Sequence, residues 1–266
     1  MIGQFRVYDA HAHIFPGKIA ARAVESIAEF YTLDMAFDGL PHQLDEINRA
    51  AGIDGTLVFS AATVPHQVRT INDFIAAKCE KYPHFIGMGC LHPKMDGIPQ
   101  EIERIRALGL HGIKFHPDFQ NFDIDDPAFL PMYREIAANR LPVMFHMGDK
   151  RYDHSRPWRL ANLLEKVPDL IAIAAHYGGY SHWEEVRRCL KGSSAWYDTS
   201  SALAFMPAEY FRELGYELGI DRLLFGTDYP MWNVHDELKR FETLRLPDED
   251  KAKVLGGNFE RLFGIG

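Results

Sequence analysis

Short apolar runs alternate along this chain with longer segments of helical period. Eight runs have strand length: "FRVYDAH" at 5–11, "DGTLVFS" at 54–60, "HFIGMGCLHP" at 84–93, "HGIKFHP" at 111–117, "LPVMFHMG" at 141–148, "LIAIAAHYGG" at 170–179, "SSAWYDTS" at 193–200 and "DRLLFGTDYP" at 221–230. Each is nearly continuously apolar and ends in Gly, Pro or a polar residue. Parallel strands buried on both faces have this pattern.

The intervening segments predict helices. Val68, Ile71, Ile75 and Cys79 share one face in 65–83, and Ile98, Ile102, Ile105 and Leu108 in 98–110, with Gly109 as a C-terminal cap. Asp126 is placed to cap a helix that has Pro127 at its first position. Residues 207–219 fill the gap before the last strand. In "PDEDKAKVLGG" acidic residues open a helix that Gly256 and Gly257 are expected to stop, with Asn258 capping the next. Eight strand–helix alternations predict an α/β chain folded as a (β/α)8 TIM barrel. A doubly wound open sheet would need a Gly-rich phosphate loop after an early strand, and no such motif occurs. One domain, 1–266, is expected, with 14–40 inserted after the first strand as part of a lid or rim.

Composition narrows the function. The chain has 266 residues, 47% hydrophobic and 25% charged, with a formal charge of −8. That balance supports a large core and argues against disorder. No basic stripe suggests a nucleic-acid partner. No apolar run is long enough to span a bilayer, and the first residues lack the pattern of a signal peptide. Cys79, Cys90 and Cys189 read as reduced thiols filling the core of a cytoplasmic protein.

The polar residues that end the strands carry the chemistry. In "DAHAH", His11 and His13 alternate, which points both to one face. His146 ends the fifth strand, His176 the sixth and Asp228 the eighth. Active sites of such barrels sit at the mouth formed by the strands' C-terminal ends. One strand-end histidine is ordinarily just a hydrogen-bonded interior residue. Four imidazoles and a carboxylate from four strand ends are hard to reconcile with an apolar interior, and one divalent cation would satisfy them together.

The stretches "DAHAHIFP", "GIKFHP", "VMFHMG", "AAHYGG", "WYDTSS", "LLFGTDYP" and "LGGNFERLFGI" give the chain, from about Tyr8 onward, a resemblance to the amidohydrolase superfamily, in particular its amidohydrolase-2 branch. The resemblance implies a TIM barrel holding one or two metal ions. It implies His11, His13, His146 and Asp228 as metal ligands, and His176 as either a ligand to a second ion or a catalytic imidazole. The branch contains hydrolases and also non-oxidative decarboxylases such as aminocarboxymuconate semialdehyde decarboxylase. Zn2+ is the first expectation for the metal, with Mn2+ or another divalent ion as the alternative, and one ion rather than two.

Lys114 stays open between a carbamate bridging two ions, a contact to a substrate carboxylate and a structural ion pair. His116 and His92, each before a proline, line the mouth or serve structure. Asp198 orients a ligand histidine or caps a turn. Arg151, in the charged loop after the fifth strand, is a candidate clamp for a substrate anion or a solvated side chain. Tyr229 and Trp232 are candidates for an apolar wall. The expected partner is a small molecule, and a homodimer is compatible because such barrels often pair. The first mechanistic expectation is hydrolysis of a small, carboxylate-bearing ester, lactone or amide. A metal-bound water attacks, Asp228 is the general base and His176 polarises the carbonyl. The alternative is decarboxylation of a small unsaturated or aromatic acid at the same residues.

Overall fold

The computed structural model describes residues 2–265. All eight expected strand positions are strands: β1 (Tyr8–His13), β2 (Gly55–Phe59), a third position broken at Met88 into β3 (Phe85–Gly87) and β4 (Gly89–Cys90), then β5 (Ile113–Phe115), β6 (Val143–Phe145), β7 (Ala172–Ala174), β8 (Trp196–Asp198) and β9 (Leu223–Leu224). Every pairing is parallel, in the orders β1-β2-β3 and β4-β5-β6-β7-β8-β9. Backbone bonds carry the ring across both seams. Met88 N–H donates to Val58 O and Gly89 N–H to Gly112 O. At the other seam Ala10 N–H donates to Phe225 O, Asp228 N–H to His11 O and His13 N–H to Tyr229 O. The result is the expected TIM barrel.

Apolar side chains fill the inside of the ring, among them Leu57, Phe59, Met88, Met144, Ile173 and Leu224. Phe259 closes the bottom by stacking on Tyr8 at 4.7 Å. A larger apolar layer lies between the strands and the surrounding helices. The polar strand-end residues therefore sit on a dry floor.

Two local expectations are corrected. β1 is not a regular strand: its register with β2 shifts between Asp9 and Ala12, so it carries a bulge. Gly256 and Gly257 do not stop a helix. A π-helical turn, Lys253–Gly257, runs on into the helix Asn258–Phe263. A Cβ at Gly256 would lie 2.7 Å from Arg6 O, so close backbone packing explains this glycine. Asn258 is no N-cap either; its amide donates to Ile220 O and Leu223 O. Asp126 and Gly109 act as expected: Asp126 accepts from Ala128 N–H, and Gly109 adopts φ +69°.

The insert forms a helix, α1 (Ala20–Tyr31), that lies over the barrel mouth; α2 (Pro41–Ala51) then leads back to β2. Among the described residues no helix is long and apolar enough to cross a membrane. The three cysteines are free thiols.

Glu237, on the helix Val234–Thr243, has a folded-state cost. It is fully buried, and its Oε2 has no hydrogen-bond partner among the described residues. Burial pushes its carboxyl up to about 7, against the pull of Arg240 and with help from Asp228 and Asp9. A raised folded pKa contributes stability that is present at pH values below the unfolded pKa and is lost as pH rises through the folded one. Stability is therefore expected to fall between about pH 4.5 and 7 by on the order of 3 kcal/mol from this group. Glu237→Gln should flatten that fall. Thermal unfolding at pH 5 and pH 8 checks it, the variant melting higher than wild type only at pH 8.

Candidate metal centre and cavity

β1 delivers His11 and His13 side by side: their Nε2 atoms are 3.3 Å apart. The segment after β9 brings Asp228, whose Oδ1 lies 3.4 Å from His11 Nε2 and 3.8 Å from His13 Nε2. These three residues offer donor atoms within 4.8 Å of one another. Asp228 has a left-handed backbone, φ 66°, and so does His176, φ 57°. Such conformations are uncommon outside glycine and cluster at functional sites.

The protonation states suit a cation. Burial, then the neighbouring Lys114 charge, holds the His11 imidazole well below its usual value and brings His13 down to about 3. Burial works to raise the Asp228 carboxyl, but His11, His176, His13 and the hydroxyl of Ser201 outweigh it and hold it below the ordinary carboxylate range. Two neutral imidazoles and one carboxylate thus face each other at neutral pH. His11 Nδ1 is fixed as a donor by Asp198 Oδ2 at 2.8 Å, which leaves the Nε2 lone pair for the cluster. A buried set of lone pairs turned inward is costly unless a cation occupies the centre, so these residues fit a divalent metal ion.

His146 is not drawn into that group. Its Nδ1 lies 2.9 Å from His176 Nε2, and its Nε2 lies 3.2 Å from both Gly148 O and the Tyr31 hydroxyl. Its ring stacks on His116 at 3.9 Å, and His116 stacks on Phe119 at 3.8 Å. His176 connects the two halves: its Nδ1 is 3.0 Å from Ser200 Oγ and 3.7 Å from Asp228 Oδ2.

Lys114 is buried beneath the floor. Its Nζ lies 3.4 Å from His11 Nε2 and 4.6 Å from the centre of the Phe59 ring. Burial draws its ammonium down to about 8, against Asp198 and Asp228. It does not line the cavity, so of its three readings the contact with substrate is not seen.

Above the floor is a cavity of about 610 Å3, roofed by α1 and walled by the segment 60–74. His13, His116, His146, His176 and Asp228 reach it from below. Arg151 does not. Its guanidinium is held by both oxygens of Asp149 and lies 3.5 Å over the Phe30 ring, donating to Phe30 O from outside the roof. Arg151 is thus a clip on the insert rather than an anion clamp. Trp232 stands behind the wall, its indole N–H donating to Ser201 Oγ at 3.0 Å, and Ser201 in turn donates to Asp228 Oδ2 at 2.6 Å. Tyr229 is pinned to Leu40 O. His92 is buried, and its Nδ1 accepts from Lys94 N–H.

Three residues that sequence reasoning passed over matter here. Tyr31 puts its hydroxyl 3.3 Å from His116 Nε2 as well as against His146, and only its place in the insert hinted at the cavity. Ser201 lay inside the quoted "WYDTSS" without a role. Asp9 accepts from Thr227 N–H and hydroxyl and from His11 N–H, tying β1 to the Asp228 segment. Its position two residues before His11 was the available signal.

A family model described as amidohydrolase matches residues 8–265. Gamma-resorcylate decarboxylase of Polaromonas sp. (strain JS666 / ATCC BAA-500) is 26% identical over 260 residues, covering 74% of this chain and 76% of that protein. The 2-amino-3-carboxymuconate-6-semialdehyde decarboxylase of Dictyostelium discoideum is 24% identical over 241 residues, covering 73% and 66%. Among solved structures, 2,6-dihydroxybenzoate decarboxylase complexed with 2,6-dihydroxybenzoate superposes with a TM-score of 0.78 at 18% identity, covering 98% of this chain and 100% of that one. A dihydroxybenzoic acid decarboxylase from Polaromonas sp. JS666, with bound manganese and the inhibitor 2-nitroresorcinol, superposes at 0.75 with 18% identity, covering 98% and 97%.

Proposed function

The chain belongs to the amidohydrolase family, and from that premise we propose that it is a metal-dependent decarboxylase of a small unsaturated or aromatic carboxylic acid. The observation that carries this reading is the largely apolar cavity standing directly on the His11, His13 and Asp228 group. The decarboxylases among its relatives support it ahead of the hydrolysis expected first.

His11, His13 and Asp228 would hold the ion, and His146 lines the same cavity. A bound divalent cation supplies positive charge that orients the acid's oxygens and offsets charge developing as the carbon–carbon bond breaks. The walls of the cavity exclude water from the carboxylate. Loss of CO2 disperses that charge, so a dry site favours it. His176 is the proposed proton donor to the carbon left behind: it lines the cavity, and Ser200 and Asp228 steady its ring. The bonding pair of the broken bond goes to that carbon, the proton follows from His176, and neutral CO2 leaves.

The test is direct. Manganese-loaded protein is incubated with aromatic and muconate-type acids, and in parallel with lactones, esters and amides, while headspace CO2 is measured. CO2 released in step with loss of the acid is expected; turnover of the lactones, esters or amides without CO2 would restore hydrolysis. Metal analysis of the same preparation is expected to give one ion per chain, unchanged in Lys114→Met. Two ions falling to one in that variant would instead favour a bridging carbamate.

A further inference from the structure

We propose, resting on the decarboxylase reading, that the substrate is a monocarboxylic acid whose body is apolar and extends away from the ligand group into the space between α1 and the helix α3 (Val68–Lys81). The first argument is size. A cavity of about 610 Å3 corresponds to about twenty waters at their liquid volume of roughly 30 Å3 each. A one-ring acid with about nine heavy atoms, shorter than a drug-sized ligand, would leave much of it unfilled.

The second argument is the lining. Ile19, Ile27 and Phe30 on the roof side share the lining with Ile71 and Phe74 of α3. Polar side chains enter this outer part only as neutral amides, hydroxyls and the imidazole of His66. Gln67 already uses its carbonyl oxygen on Thr63 N–H and hydroxyl. Buried apolar walls reward apolar ligand surface and penalise polar groups left unpaired.

The third argument is charge. Among the described residues no lysine or arginine lines the cavity. Lys114 lies under the floor, and Arg151 is engaged by Asp149 and Phe30 outside the roof. A substrate with one carboxylate finds its counter-charge at the ligand group. A second carboxylate at the far end would be desolvated with no cation beside it. The net charge of −8 adds long-range repulsion of a dianion.

The rim fits the same picture. Ile19, 52% exposed, lies at the edge of the cavity, so the space opens outward past an apolar residue. A tail of increasing length can therefore grow toward solvent without meeting a closed wall.

Binding of a graded series to manganese-loaded protein tests this. Benzoate, 4-methyl-, 4-ethyl-, 4-propyl- and 4-butylbenzoate, and terephthalate are compared by calorimetric titration. Affinity is expected to rise about fourfold per added methylene, the factor set by burying one such group. Terephthalate is expected to bind at least tenfold more weakly than 4-methylbenzoate. Ile71→Arg should reverse the order, weakening 4-butylbenzoate and rescuing terephthalate; its melting temperature, taken alongside, identifies a misfolded variant. In that case Ile71→Glu, which should weaken terephthalate further, takes its place. Affinity that is flat or falling with tail length, or terephthalate binding as well as 4-methylbenzoate, overturns the proposal. Length-dependent binding with no CO2 released from any of the aromatic and muconate-type acids tested above would sustain this substrate class while defeating the decarboxylase reading. CO2 release confined to diacids or short polar acids would do the reverse.

Discussion

Asp228→Asn is expected to lower kcat by about two to three orders of magnitude, the range for losing one preorganised electrostatic group from an active site, while leaving the fold intact. The fold survives for a local reason. Residue 228 sits at φ 66°, a conformation that Asn tolerates as readily as Asp. The amide oxygen can still accept from Ser201, now at 2.6 Å from Oδ2, and the backbone bond from Asp228 N–H to His11 O is untouched. What changes is charge and direction. The negative charge beside the His11 and His13 lone pairs disappears. The new NH2 faces His11 Nε2 and His13 Nε2, which Oδ1 now approaches at 3.4 and 3.8 Å, and can donate to their lone pairs. Those lone pairs are what a metal needs. Turnover per bound manganese ion, measured with metal content and circular dichroism on the same sample, checks the expectation. A variant that keeps more than a tenth of wild-type turnover at full loading would remove Asp228 from the chemistry.

The roof shows how position and role separate. Phe30 and Tyr31 are adjacent at the end of α1 and both line the cavity, their rings 4.9 Å apart, yet their outer contacts differ. Arg151 grips Phe30 from outside, and the Tyr31 hydroxyl meets His116 and His146 inside. The insert is thus fastened through two neighbouring residues, one to the loop after β6 and one to the site itself. Substrate that displaces the Tyr31 contacts would loosen the inner fastening while Asp149 and Arg151 keep the outer one.

Strand positions were legible because parallel strands buried on both faces leave continuous apolar runs. His11, His13 and Asp228 were legible because each ends such a run. The limits were directional. A sequence places His146 at a strand end but cannot show that its ring turns toward His176 and Tyr31. Arg151, by its charge and loop, was open between a clamp and a solvated side chain; Asp149, two residues earlier, captures it. Gly256 and Gly257 carried the composition of a helix stop, whereas Gly256 is needed for close approach to Arg6 O. Tyr31 lies in an insert whose pattern has no link to the barrel period, so only tertiary structure brings it to the cavity. The bulge in β1 leaves no compositional trace, yet it lies in the strand that presents His11 and His13.

Asp198→Asn should weaken manganese binding by one to two orders of magnitude, the usual cost of losing the partner that orients a ligand histidine. Asp198 divides its two oxygens between tasks. Oδ1 accepts from His176 N–H at 3.0 Å, from Ser200 N–H at 3.1 Å and from the Ser200 hydroxyl. Oδ2 accepts from His11 Nδ1 at 2.8 Å. An asparagine can supply one oxygen only, and three donors hold it at the first position. Its NH2 then faces His11 Nδ1, donor against donor, so the imidazole must change tautomer and carry its proton on Nε2. That nitrogen, 3.3 Å from His13 Nε2, then has no lone pair for a cation. Because the amide preserves shape and most hydrogen bonds, the melting temperature should fall little. Asp198→Ala, by contrast, orphans several buried donors and should lower it clearly. At saturating manganese Asp198→Asn is expected to recover turnover to within a few-fold of wild type, which separates it from Asp228→Asn. Competition against a chromophoric chelator gives the affinity; a Kd equal to wild type would mean that His11 does not depend on Asp198 to present Nε2.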